Sequence, residues 1–180
     1  MTKLILALLL LPLLSSCQNS DHKYTDKETE QFLTEIANNA KAEITFMTEH
    51  ERKATNNFLL TSKYPLSKAK REEYLAKGFI KNNSDDISDF ATYTFKAYDL
   101  VNEKNKKLKF VDNGRAVYLQ KSSLVEDHST LFQNVSIDIK LNEKFEKLKG
   151  FIHIEFEMPN GMKKEKKIMI DISIHDKLTP

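Results

Sequence analysis

Cysteine, glycine and proline are scarce in this chain of 180 residues, which has one Cys, four Gly, four Pro and no Trp. The single cysteine, Cys17, cannot form an intramolecular disulfide. The four glycines form no phosphate-cradling loop, and each stands where a helix cap or a turn is expected: Gly78, Gly114, Gly150 and Gly161. No cofactor is therefore expected.

A dominant charge of one sign is also missing. The chain has 28 Lys and Arg against 26 Asp and Glu, a net charge of +2. Nucleic-acid-binding domains carry a strongly basic surface, so we expect no nucleic-acid partner. Apolar residues make up 40% of the chain, which is enough to build the core of one domain.

The longest apolar run, Leu4–Leu14, lies near the N-terminus and is short. A helix that spans a membrane needs about 20 apolar residues, so this run is too short for one. Lys3 precedes it and two serines follow it, which is the three-part layout of a secretory signal. A buried N-terminal helix is the alternative, but the polar stretch Gln18–Lys23 disfavours it.

The residues Leu14-Ser15-Ser16-Cys17 resemble the lipobox of bacterial lipoproteins: a large aliphatic residue, two small ones and a cysteine. Membership of that family implies cleavage between Ser16 and Cys17, and diacylglycerol on the Cys17 sulfur. In Gram-negative members another fatty acid is added to the amine. The family more often has Gly or Ala where this chain has Ser16. Gln18 stands where an Asp would favour inner-membrane retention, so the resemblance implies an outer-membrane protein and leaves the membrane face open.

The resemblance covers only about the first 20 residues, and we identify no family for the rest. We divide the chain into a signal peptide (1–16), a tether (17–24), a helical segment (25–80) and an antiparallel β domain (90–176). Thr25-Asp26-Lys27-Glu28 has the pattern of a helix-initiating capping box. Apolar residues spaced by three and four then predict a helix over 25–50: Phe32, Leu33, Ile36, Ala40, Ile44 and Met47.

A second helix is expected from Pro65 or Ser67 through Leu75, with Gly78 as its cap. From about residue 90 the apolar period changes to two, which predicts strands. Turns at Asn113-Gly114 and Pro159-Asn160-Gly161 predict hairpins. We therefore expect an α+β fold, with the helical segment packed on an antiparallel sheet or a small β-sandwich.

One strand carries a candidate metal site, because His153, Glu155 and Glu157 project from the same face. Such alternate positions lie about 7 Å apart, so one ion needs ligands from other strands. His175 and Asp176 are the available supplements. We favour ion pairs between these acids and lysines across the hairpin, and expect no metal. The candidate lysines are Lys163, Lys164, Lys166 and Lys167.

Other motifs predict little chemistry. Glu126-Asp127-His128-Ser129 gathers an acid, a histidine and a serine, but without a Gly-x-Ser-x-Gly elbow we interpret 122–130 as a loop and expect no catalytic residue.

Asn83–Asp89 lacks the glycine and closing glutamate of a calcium loop, so we interpret it as a linker. Two lysine runs, 104–107 and 163–167, can contact anionic headgroups or protect sheet edges, and we favour edge protection.

Together these features predict a membrane-anchored envelope lipoprotein that binds an envelope protein and catalyses no reaction. An immunity or inhibitor protein that neutralises a toxin or a hydrolase would be one such protein. Two alternatives stay open. The first is a structural or assembly lipoprotein of an outer-membrane complex, and the second is a hydrolase.

Overall fold

The computed structural model describes residues 25–44, 53–66, 68–78, 91–111, 117–128 and 130–177. The signal peptide, the tether, Cys17, the Asn83–Asp89 segment and the Asn113-Gly114 turn lie outside the described residues. The described part contains two α-helices and two antiparallel sheets, and it is mostly strand.

The elements are, in chain order, α1 (Asp26–Asn39), β1 (Lys41–Glu43), β2 (Thr55–Pro65), α2 (Lys68–Lys77), β3 (Thr92–Asn102), β4 (Lys107–Leu108), β5 (Val117–Tyr118), β6 (Gln120–Asp127), β7 (Thr130–Phe145), β8 (Lys147–Glu157), β9 (Lys163–Ser173) and a closing 3-10 helix (Ile174–Lys177). We call the sheet of order β1-β2-β7-β6 sheet A. Sheet B has the order β4-β3-β8-β9, and β5 also pairs with β3.

Helix α1 begins with the predicted capping box. Thr25 Oγ1 accepts a hydrogen bond from the Glu28 backbone N–H at 3.3 Å, and Glu28 Oε2 accepts one from the Thr25 N–H at 2.8 Å. The apolar stripe is also confirmed over the helix itself, since Phe32, Leu33 and Ile36 are buried. The helix packs against β2, β8 and β9.

The predicted extension of that helix to residue 50 is wrong. Helix α1 ends at Asn39, and the next residues pair with β2, with Lys41 opposite Thr61. Pairing with a neighbouring strand overrides the helical periodicity, as tertiary contacts commonly do with local propensity.

The segment 25–80, predicted to contain two helices, also contains a strand that was not predicted, because Thr55–Pro65 forms β2. Phe58, Leu60 and Tyr64 are buried at intervals of two or four, which is strand periodicity. The second helix is confirmed: α2 ends before Gly78, whose φ of 74° suits the cap.

One hydrophobic core serves both sheets and α1. It combines helix residues such as Ile36 with sheet A residues such as Ile137 and sheet B residues such as Ile152. The sheets meet where Phe110, just after β4, forms a backbone bridge with Leu141 of β7. Edge strand β9 of sheet B contacts β1 of sheet A. Side chains that face away from this core form the outer faces of the two sheets.

The terminal hairpin is confirmed, with β8 and β9 joined by a turn in which Gly161 has a φ of 83°. The residues flanking the Asn113-Gly114 turn do not pair with one another within the described ranges. Instead, both flanking segments pair with β3. Leu108 lies opposite Leu100 of β3, and Val117 lies opposite Tyr93 of the same strand.

Gly150 departs from the expectation that every glycine serves a cap or a turn. It lies within β8 at a φ of 134°, opposite Leu100 of β3. A Cβ added there would stand 1.9 Å from the Asp99 carbonyl oxygen. The two strands therefore approach too closely for any side chain at this position.

Candidate binding groove

The outer face of sheet A contains an open groove with a volume of about 680 Å³. Strand residues from β1, β2, β7 and β6 line it, and residues 38–40, which follow the last buried turn of α1, form one rim. We call this cavity the sheet A groove. It crosses all four strands, so side chains that are distant in sequence share one surface.

Strand alternation and register bring these side chains together. In β2 the core takes Leu60 and Tyr64, which leaves Leu59, Thr61 and Lys63 on the outer face. Directly opposed residues of an antiparallel pair point to the same side of the sheet. Because Thr61 is opposed by Lys41 on β1 and by Ser136 on β7, these three form a row across the groove floor.

Half of the 14 lining residues have small, polar and uncharged side chains. A hydroxyl or an amide is carried by seven lining residues: Asn38, Asn39, Thr61, Ser62, Ser122, Asn134 and Ser136. The apolar lining is aliphatic: Ala40, Leu59, Val125 and Val135. Hydroxyl and amide groups can both donate and accept hydrogen bonds, so the groove suits a ligand that offers both.

The charged residues at the groove neutralise one another. Lys41 Nζ lies 2.6 Å from Glu43 Oε1, and Lys63 Nζ lies 3.0 Å from Asp127 Oδ2. The hydrogen bond and the charge of Lys63 hold the pKa of Asp127 below its ordinary value. Lys63 also lies 4.4 Å from the centre of the Phe132 ring. Each charged side chain of the lining, Lys41, Glu43 and Lys63, therefore has a partner of opposite sign, and for Lys63 that partner is Asp127 outside the lining.

Thr61 supplies an unmet hydrogen bond at the groove floor. Its Oγ1 is buried and has no hydrogen-bond partner in the described part of the chain. A second buried oxygen of this kind, Asn57 Oδ1, belongs to a residue that does not line the groove. Buried polar atoms in proteins are nearly always paired. The Thr61 oxygen has almost no accessible surface where it stands, so it becomes a candidate ligand contact through rotation of the half-buried side chain about χ1.

A β-bulge shapes the groove wall on β6. The register between β6 and β7 shifts between Lys121 and Leu124, which leaves Ser122 and Ser123 in the bulge. The buried Gln133 side chain stabilises it, because Nε2 donates to the carbonyls of Ser122 (3.2 Å), Ser123 (3.4 Å) and Asn134 (3.0 Å). The bulge thereby turns Ser122 and Val125 towards the groove.

The outer face of sheet B brings the predicted metal candidates together, but each of them contacts a side chain of another kind or charge. His153 Nε2 lies 3.0 Å from Glu165 Oε2. Glu155 Oε1 lies 3.1 Å from Lys96 Nζ and 3.3 Å from Lys163 Nζ, and Lys163 also contacts Glu157 at 3.0 Å. The predicted pairing of acids with lysines across the hairpin is confirmed.

The ion pairs on the outer face of sheet B shift the pKa values of two of their members. The hydrogen bond from Lys96, followed by that from Lys163, holds the pKa of Glu155 below its ordinary value. Glu157 and Glu155 in turn raise the pKa of Lys163. Within the described ranges, no group of three His, Cys, Asp or Glu residues could hold a metal ion. His175 is exposed in the 3-10 helix, and the side chain of Asp176 lies outside the described part.

The loop predicted over 122–130 is wrong, because β6 continues to Asp127 and β7 begins at Thr130. A strong hairpin pairing extends through residues whose polarity is typical of loops. His128 lies in the turn at a φ of 46° with its side chain fully exposed, and Asp127 binds Lys63. Ser129 lies outside the described residues.

The two lysine runs lie at opposite borders of sheet B, and edge protection stays a prediction. The first is in the turn from β3 to β4, where Asn102 Oδ1 accepts hydrogen bonds from the backbone N–H groups of Lys104 and Lys106. The second lies on β9, the edge strand of sheet B. Whether these lysines contact headgroups stays a prediction.

The sequence missed the groove because β2 was interpreted as part of a helical segment. One part of the signal was visible: Asn134 and Ser136 alternate with the predicted strand residues Val135 and Ile137. Thr61 could not be assigned, since its neighbours on β1 and β7 are defined only by the pairing.

No helix among the described residues is both long and apolar enough to cross a membrane. Comparison of the chain with protein-family models, with curated proteins and with solved structures gave no match.

Proposed function

We propose that this chain is a lipid-anchored lipoprotein of the bacterial outer membrane that binds an envelope protein through the sheet A groove and catalyses no reaction. The observation that carries the binding half of the proposal is the groove itself, a cavity lined by neutral hydrogen-bonding side chains. An immunity or inhibitor protein is the form of this function that we favour.

The anchor half is supported by Leu14-Ser15-Ser16-Cys17. Stable attachment to a membrane needs about two acyl chains, and diacylglycerol on Cys17 would supply both. The tether 17–24 would then hold α1 within roughly 25 Å of the anchor, even if fully extended. A partner of the groove would be met at the membrane surface.

The scaffold in this proposal is a small β-sandwich with α1 packed on it, which fits the predicted α+β fold. Binding is favoured over catalysis by where the reactive groups lie. Two carboxylates with lowered pKa values, Asp127 and Glu155, are held by lysines in ion pairs. A third, Glu103, has its pKa lowered by backbone hydrogen bonds and accepts from the N–H groups of Glu146 and Lys147. The groove lining offers no histidine or cysteine to act as base or nucleophile within the part of the chain that is described.

Site-specific photo-crosslinking tests the binding half in cells. We would place p-benzoyl-phenylalanine at the exposed Asn38, on the rim of the groove, and at the exposed Thr94 of β3 on the outer face of sheet B as a matched control. We expect one adduct of discrete mass from position 38 and none from position 94. Equal adducts from both positions, or no adduct from position 38, would contradict binding through the groove.

The same material tests the anchor by mass spectrometry of the N-terminal peptide. We expect a chain that begins at Cys17 and carries the mass of diacylglycerol. A chain that begins at Met1, or an unmodified Cys17, would contradict lipid anchoring and leave the crosslinking result to stand alone.

A further inference from the structure

We infer that the sheet A groove binds a short, uncharged and extended peptide segment of the partner protein. This inference rests on the proposed function and names the chemistry of the ligand. Four observations carry it: the size of the groove, its paired charges, its mixture of hydroxyl, amide and aliphatic side chains, and the unpaired hydroxyl of Thr61.

The dimensions suit a few residues of extended chain. The groove crosses four strands, and three spacings between neighbouring strands make a width of about 14 Å. An extended chain advances about 3.3 Å per residue, so roughly four residues span this width. The volume of about 680 Å³ lies within the range of roughly 300–1,000 Å³ that is usual for small-ligand sites.

The paired charges favour an uncharged segment. Lys41 is bound to Glu43 within the edge strand β1, and Lys63 of β2 is bound to Asp127 of β6 across β7. A charged ligand would have to break one of these pairs or lose water without gaining a free partner, and both cost binding free energy. A neutral segment meets neither cost.

The mixture of side chains matches a main chain better than a sugar. An extended peptide offers N–H and C=O groups in alternation, which the hydroxyls of Thr61 and Ser136 and the amide of Asn134 can bind. Leu59 and Val125 provide aliphatic contact for small apolar side chains. A sugar ring would instead present a flat C–H face, for which aromatic rings are the usual platform, and none of the lining residues described is aromatic.

A substitution at Thr61 can distinguish a role in ligand binding from a role in the stability of the fold. A structural hydroxyl loses a hydrogen bond when it is removed, so the protein becomes less stable. Thr61 Oγ1 has no such bond among the described residues, so the isosteric T61V change relieves a buried unpaired oxygen. The change is therefore expected to stabilise the free protein while it weakens ligand binding.

Fluorescence polarisation with the full chain in detergent micelles tests the inference. The probes are labelled octapeptides with blocked termini in three matched sets: uncharged sequences of Ser, Thr, Asn, Gln, Ala and Val, and the same sequences with two positions changed to Asp or to Lys. A labelled tetramer of N-acetylglucosamine is the glycan probe. We expect the best uncharged peptides to bind at least about ten-fold more tightly than their charged counterparts.

Three variants locate the binding. Ser136→Phe fills the centre of the groove and is expected to abolish binding, whereas Thr94→Phe, at the exposed position on sheet B, leaves it unchanged. Thr61→Val is expected to weaken binding by about five-fold. The same variant should raise the melting temperature by about 2–4 °C, the shift expected for relief of one such group in a domain of this size.

Three outcomes would overturn the inference: charged peptides that bind as well as neutral ones, a glycan that binds in place of peptides, or uncharged peptides that bind S136F normally. If any of these occurs while the crosslinker at Asn38 still captures one protein, the ligand class is wrong and the proposed function stands. If neither probe nor crosslink responds to the groove, both fail together.

Discussion

The outer faces of the two sheets are built from the same strand alternation but carry opposite chemistry. On sheet B, alternate positions of β3, β8 and β9 carry long charged side chains that contact one another in ion pairs. On sheet A, Thr61 of β2 and Asn134 and Ser136 of β7 place small hydroxyl and amide groups along a groove.

The difference concerns whether each face satisfies its own polar groups. Glu155 on sheet B contacts two lysines, so its carboxylate is paired in the absence of a ligand. Thr61 on sheet A has a buried oxygen without a partner in the described part of the chain. A surface with unmet hydrogen bonds is the better candidate for binding than one whose charges are already paired.

The largest expected effect is a loss of stability caused by a substitution within sheet B. Gly150→Ala would place a Cβ 1.9 Å from the Asp99 carbonyl oxygen at a φ of 134°. Overpacking together with backbone strain should cost about 4 kcal/mol or more of unfolding free energy. Urea denaturation followed by circular dichroism measures this, and we expect an unfolded or barely folded variant.

Gly161→Ala is the matched control, because Gly161 also has a positive φ, of 83°, but has open space where its Cβ would lie. Only the backbone conformation opposes that change, at about 1 kcal/mol. Equal losses for the two variants would show that the strand approach at Gly150 is not limiting.

The terminal hairpin and the capping box of α1 were predictable because local signals determine them. The turn at Gly161 and the Thr25–Glu28 hydrogen bonds each depend on residues within a few positions. The strand β2 was not predictable from the sequence. Its apolar residues fit the period of a helix as well as that of a strand, and its pairing partner β7 lies far along the chain. The expectation that Gly150 serves a turn was wrong for the same reason, because the close contact that requires a glycine there comes from Asp99 on another strand.

The second effect concerns the bulge that shapes the sheet A groove. Gln133→Leu removes the donor to the carbonyls of Ser122, Ser123 and Asn134 while it keeps a side chain of similar size. The loss of these part-buried hydrogen bonds should cost about 1 kcal/mol of unfolding free energy. Denaturant midpoints measure the loss, and peptide binding should weaken with it because the groove wall is displaced.

Gln120→Leu controls for the change in chemistry, since Gln120 is exposed on the same strand pair, opposite Ser136. An exposed substitution of this kind should change the unfolding free energy by less than about 0.5 kcal/mol. If both variants lose the same stability, the hydrogen bonds of Gln133 do not hold the bulge.

The groove was less predictable than the fold for a physical reason. Polar alternation at Asn134 and Ser136 indicates only a solvated strand face, which is also what sheet B presents. Concavity, the pairing of Lys63 with Asp127, and the isolation of Thr61 Oγ1 all depend on neighbouring strands and on the bulge. No single segment of sequence contains that information.

The smallest effect is electrostatic and belongs to sheet B. Lys96 and Lys163 lower the pKa of Glu155 below its ordinary value of 4.5, so the carboxylate stabilises the fold above that pH. This contribution is lost as the pH falls through the lower pKa of the folded state. Glu155→Gln should therefore cost less than about 1 kcal/mol at neutral pH, and the difference from the parent should shrink progressively in acid.

Urea midpoints of the parent and of Glu155→Gln, compared from neutral pH down into the acid range, measure this convergence. Glu126→Gln, at an exposed position on β6 of sheet A, is the control and should follow the parent at every pH. A Glu155→Gln deficit that persists unchanged in acid would mean that the side chain acts through packing. The outer face of sheet B would then not be stabilised by its charges, and the contrast with the sheet A groove would rest on the groove alone.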